Sequence, residues 1–104
     1  MRALVLSDIH ANLEALEAVL TDAQNRSGFD VIWCLGDTVG YGPDPVACVD
    51  RIREFDLVVV AGNHDHAAVG LIDACDFNPA AKAAAEWTAR QIDAGHIEFL
   101  SSLP

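Results

Sequence analysis

The 104 residues carry 6 Lys and Arg against 16 Asp and Glu, a formal net charge of −10, with 52% hydrophobic residues. That length suits one small domain, and the apolar share excludes a disordered acidic tail. The negative excess opposes the counterion release that drives binding to a phosphate backbone, so a nucleic-acid scaffold is set aside. A phosphate ester held through divalent cations is not excluded, because bound cations invert the local field.

In chain order, residues 3–6 (Ala3, Leu4, Val5, Leu6) form a short apolar run halted by Ser7 and Asp8. Asn12 is placed to cap a helix reaching Arg26, with Leu13, Leu16, Val19, Leu20 and Ala23 at helical spacing. A second apolar run, 31–35, ends at Gly36. Asp44 and Pro45 read as N-cap and first position of a shorter helix ending near Arg53, and a third run covers 57–61. Continuous apolar runs of this kind suit strands buried on both faces of a parallel sheet, giving βαβαβ with right-handed crossovers. Asn78 and Pro79 then open an Ala-rich helix through about Ala94, with Gly95 as its stop, and no further strand is expected. Residues 1–104 read as a single domain.

Cys34, Cys48 and Cys75 make no CxxC pair and read as free thiols in a reducing compartment. The N-terminus reaches Asp8 too soon for a signal-peptide core, and no apolar run is long enough to span a bilayer. A cytoplasmic protein with no membrane association is the expectation.

The chemistry-bearing residues stand where the three apolar runs end: Asp8 and His10, then Asp37 within residues 36–43, then Asn63, His64, Asp65 and His66. Ligands of open α/β sheets bind beyond the carboxyl ends of the strands, so these segments converge on one rim. Carboxylate, imidazole and amide oxygen together suit a hard-to-borderline divalent ion better than a thiolate zinc site.

The blocks D-x-H (8–10), G-D-x-x-G-Y-G-P (36–43) and G-N-H-D (62–65) resemble the first three blocks of the calcineurin-like metallophosphoesterases. The resemblance implies hydrolysis of phosphomonoesters or phosphodiesters at a centre of two divalent ions, manganese first, with iron, zinc or nickel as alternatives. By position, Asp8 and His10 would bind the first metal, Asp37 would bridge both, and Asn63 would bind the second. His64 would stabilise the transferring phosphoryl group or protonate the leaving oxygen, with Asp65 orienting its ring. The implied fold is α/β, the first βαβαβ half plus a C-terminal helix of an α/β/β/α sandwich. Later family blocks, including a G-H-x-H that supplies further ligands, have no counterpart here. The domain therefore reads as truncated, its first metal site should outlast the second, and one sheet face or edge lacks its partner. A homo-oligomer or a complementary chain is the expected remedy.

Blander readings accompany these residues. Asp8 alone would be a turn or capping residue, a reading that weakens once His10, Asp37 and residues 62–65 stand with it. Tyr41 divides evenly between packing and substrate contact, His66 reads as a solvated loop residue, and His96 as a surface residue. Trp33 and Trp87 read as packing residues and Cys34 as a buried small hydrophobe. Set against a metal-dependent phosphoesterase acting on a small phosphate ester is a catalytically incomplete metal-binding or regulatory module that associates with a partner chain. A receiver-type phosphoacceptor fits the sheet but not the histidines, and it requires an early acidic pair that Ser7 and Asp8 do not supply.

Overall fold

A computed structural model describes all residues, 1–104. Its sheet has three parallel strands in the order β1 (Ala3–Leu6), β2 (Val31–Cys34), β3 (Leu57–Val59). Leu4 pairs with Ile32, which pairs with Leu57, and Leu6 pairs with Cys34, which pairs with Val59. These six residues therefore point to one face. There they meet Leu16 and Leu20 of α1 (Leu13–Arg26) and Cys48 and Ile52 of α2 (Pro45–Ile52), which form one buried cluster with Ile32 and Cys34. Each Leu or Ile so buried contributes about 1.5–3 kcal/mol. Asn12 caps α1 as its sequence suggests, accepting a hydrogen bond from the Ala15 amide at 3.0 Å. Pro45 opens α2, but the Asp44 side chain makes no cap bond there. Arg51 ties the two helices together, its Nε 2.6 Å from Glu17 Oε1.

The opposite face is bare. Val5, Trp33 and Val58 are 53%, 41% and 59% exposed, and Leu35 and Val60 beyond the strand ends are also open. The expectation of strands buried on both faces is thus corrected, and with it the packing role of Trp33. Both crossovers step the same way across the sheet, so both helices fall on one side. Continuous apolar runs report that both faces avoid water, not that this chain covers both.

Past β3 the chain forms α3 (Asn63–Ala68), a 3₁₀ turn (Ala74–Asp76), α4 (Pro79–Gln91) and α5 (Ala94–Ser101). Val39, Val49, Ala68, Ile92 and Leu100 make a second core that joins α3 and α5 to α2. The Ala-rich helix expected to run through about Ala94 ends at Gln91, and Ala94–Ser101 forms a helix of its own. Ile92 is extended and buried in this core, and the Asp93 carboxylate restarts the helix by accepting the His96 amide at 3.0 Å. Gly95 consequently lies inside α5. His96 is not a surface residue: it is 7% exposed, with Nε2 2.8 Å from Asp50 Oδ1 on α2. Trp87 is half-buried and Cys34 is buried. No helix is long and apolar enough to cross a membrane.

Two contrasts follow from this layering. Ile32→Ala is expected to cost about 2–5 kcal/mol in urea unfolding, whereas Val58→Thr on the bare face should change stability by less than about 0.5 kcal/mol. Burial pushes the Cys48 thiol up to about 12 from an ordinary 9.0, with Asp44 the next cause. The unfolded thiol ionises first, so its contribution is intact below pH 9 and is lost as pH rises from 9 toward 12. Unfolding curves across that range should show the decline in the wild-type chain and a shallower one in Cys48→Ala.

Candidate metal centre

Backbone pairing does not stop where β1 and β2 end. The Leu35 amide donates to Leu6 O at 2.8 Å, and the Asp8, His10 and Ala11 amides donate to the carbonyls of Gly36, Asp37 and Thr38, each at 2.9 Å. The first two motif loops are thereby laid side by side, with Asp8 and His10 alongside Asp37. To follow this path Asp8, His10, Ala11 and Asp37 adopt φ of 57°, 48°, 54° and 56°. Left-handed backbone at residues with a Cβ costs about 1–2 kcal/mol each and persists only where the surroundings impose it.

The third segment is fixed by Asp65, which is fully buried. Its Oδ1 accepts the Val39 amide and its Oδ2 the Gly62 amide, both at 3.0 Å, so one carboxylate joins the second loop to the start of α3. Burial raises the pKa of Asp65, while these two amide bonds pull it down. Across the same seam the His64 amide donates to Asp37 Oδ1 at 3.0 Å. Gly62 is required by this approach: a Cβ there would stand 2.0 Å from Asp37 Oδ1.

Asp8, His10 and Asp37 come together with one ligand atom from each, all within 4.8 Å of one another. His10 Nε2 lies 3.3 Å from Asp8 Oδ1 and 3.9 Å from Asp37 Oδ2. His10 Nδ1 is 3.1 Å from the Val39 carbonyl. An acceptor there fixes the proton on Nδ1 and leaves the Nε2 lone pair for a metal, the usual supporting arrangement for a metal-bound imidazole. The pKa of Asp8 is lowered, chiefly by the Ser7 hydroxyl and then by His10, which keeps it ionised. The donor set thus fits a divalent cation.

Asn63 opens α3 and is exposed, while His66, on the same helix and not on a loop, is half-buried and outside the cluster. His64 is 8% exposed, its ring centroid 5.0 Å from that of His10. The expected orientation of its ring by Asp65 is corrected. The Asp65 carboxylate is taken by two backbone amides, and His64 Nδ1 is buried with no hydrogen-bond partner. Sequence reading missed Val39, whose carbonyl orients His10 and whose amide anchors Asp65. Backbone groups leave no mark in a sequence, so no signal pointed to it.

The profile of the family described as calcineurin-like phosphoesterase matches residues 1–100. The chain belongs to the calcineurin-like phosphoesterase family. A crystal structure of a metallophosphoesterase from Sphaerobacter thermophilus superposes with a TM-score of 0.81 at 50% identity, covering 100% of this chain and 42% of that one. An uncharacterized protein of Methanocaldococcus jannaschii is 48% identical over 100 residues, 96% of this chain and 41% of its own length. A symmetrical bis(5'-nucleosyl)-tetraphosphatase of Psychromonas ingrahamii is 31% identical over 67 residues, 62% of this chain and 24% of that enzyme. The chain spans less than half the length of these relatives, and the three-stranded sheet with its helices matches the metallophosphoesterase fold.

Because Gly62 carries no side chain where Asp37 needs room, Gly62→Ala is expected to displace that carboxylate. Calorimetry should show Mn²⁺ binding weakened at least tenfold, and because that Cβ would also stand 2.5 Å from the Asp37 backbone nitrogen, the unfolding midpoint should fall as well.

Proposed function

We propose that this chain carries the metal-binding half of a phosphoesterase centre that hydrolyses phosphomonoesters or phosphodiesters, acting in the cytoplasm on a small phosphate-ester substrate. The observation that supports it most is the Asp8–His10–Asp37 cluster with its imidazole oriented from behind by Val39. In this reading Asp8 and His10 hold one divalent ion, Asp37 bridges to a second, and Asn63 contributes to that second ion. Manganese is the first choice, with iron, zinc or nickel accepted by the same donors. Such ions supply the positive charge that draws in a phosphate and the acidity that turns water into a nucleophile at neutral pH. His64, buried beside His10, stabilises charge on the transferring phosphoryl group or gives a proton to the leaving oxygen. Asp65 is a positioning residue, since its carboxylate is fully buried and shared between two loops.

A second reading is favoured by the donors themselves. Asp8, His10 and Asp37 serve one ion, whereas a second would have only Asp37 and Asn63 from this chain. In that reading the chain is a metal-binding module completed by another copy or by a complementary chain.

Hydrolysis of p-nitrophenyl phosphate and bis(p-nitrophenyl) phosphate with added Mn²⁺ separates the two. The phosphoesterase reading expects turnover that falls at least about 10²-fold in Asp37→Asn, and in His64→Ala with Mn²⁺ affinity retained. A folded, Mn²⁺-binding wild-type chain with no turnover above Asp37→Asn would leave the module reading in its place.

A further inference from the structure

An imidazole at a metal centre is usually oriented by a hydrogen bond to its far nitrogen, and the Val39 carbonyl does this for His10. His64 beside it has no such bond: the residue is 8% exposed and its Nδ1 is buried without a partner. Packing is left to hold the ring. Three other rings surround it, those of Phe77 and Tyr41 with centroids at 4.8 Å and tilts of 39° and 40°, and that of His10 edge-on at 5.0 Å. Gly40 closes the remaining side, since a Cβ there would stand 2.8 Å from both Cβ and Nδ1 of His64.

His10 and Tyr41 belong to the motif loops, whereas Phe77 comes from the connection between α3 and α4. That connection is pinned on both sides of it. The Asp73 carboxylate accepts the Cys75 amide at 2.9 Å and starts the 3₁₀ turn, and the Phe77 amide closes the turn on Ala74 O at 3.0 Å. The Asn78 side chain then accepts the Ala81 amide at 2.8 Å and starts α4. Asp and Asn bonded to nearby amides in this way stiffen short segments, so the ring reaches His64 from a fixed backbone. Phe77 is half-buried and packs against neither of the two hydrophobic cores. Its place in the structure is therefore against His64.

We propose that Phe77 is a positioning residue for His64, holding by ring packing the imidazole that no hydrogen bond orients. This deepens the phosphoesterase reading and rests on it for the reaction that His64 serves. Tilted aromatic pairs of this kind attract one another, and a small displacement of a group that acts in the transition state costs turnover rather than substrate binding. Phe77 offers no ligand atom, so the cation site does not depend on it.

Two measurements on the full chain test the proposal. With p-nitrophenyl phosphate and Mn²⁺, Phe77→Ala is expected to lower kcat about tenfold while KM and Mn²⁺ affinity stay within about twofold, and Phe77→Tyr, which keeps the ring, to restore kcat. In the metal-free chain, the three-bond Hα–Hβ couplings of His64, assigned through His64→Gln, should report one rotamer in the wild type and Phe77→Tyr and rotamer averaging in Phe77→Ala. The couplings of His96 should stay the same in all three. Should Phe77→Ala not fold, Phe77→Leu, which keeps apolar bulk without a flat face, carries the same expectations with a smaller loss. Couplings of His64 that do not change when the ring is removed, a loss of kcat that Phe77→Tyr shares, or one that follows lost Mn²⁺ affinity would each overturn the proposal. A folded wild-type chain without turnover would remove the phosphoesterase reading instead, and the couplings would still decide whether Phe77 holds His64.

Discussion

The centre depends on the hydrogen-bond ladder that runs on beyond the strands. β1 and β2 end at Leu6 and Cys34, yet their backbones remain paired through Asp8, His10 and Ala11 against residues 36–38. A parallel ladder fixes register, and register decides which side chains stand together. A slip of one residue would turn Asp8 away from Asp37. Val39 completes the device: its carbonyl sets the His10 ring, and its amide binds the carboxylate that draws in the third loop. Four left-handed residues are held in place by this pairing, so backbone strain and the candidate metal ligands coincide at the same few positions.

Much of this was legible in the sequence. Each of the three apolar runs becomes a strand, Asn12 caps α1, and the residues ending each run meet on one rim, because parallel strands put their carboxyl ends on the same side. What stayed hidden depends on tertiary context. His66 looked like a loop residue and lies on a short helix, because the Asp65 carboxylate folded back on the Gly62 amide starts a helix there. The helix stop expected at Gly95 falls instead at Ile92, because burial of that one side chain outweighs local propensity. His96 looked like a helix-end surface group, and its partner Asp50 lies 46 residues away.

The layering sets what the chain can do by itself. One sheet face carries two helices and a packed core, while the other presents Val5, Trp33 and Val58 to solvent. An apolar sheet face of this sort usually packs against another layer. The chain also spans 42% of the Sphaerobacter thermophilus metallophosphoesterase and 41% of the Methanocaldococcus jannaschii relative. The ligand-bearing rim does not rely on that bare face, since its loops are tied to one another and to the core beneath α2 and α3.

The central claim is that the paired loops bring Asp8, His10 and Asp37 together as a candidate site for one cation. Calorimetric titration of the full chain with Mn²⁺ tests it most directly. The account predicts one tightly bound ion per chain, lost in His10→Gln, with any second ion binding much more weakly. Two equal tight sites, or tight binding that survives His10→Gln, would contradict it.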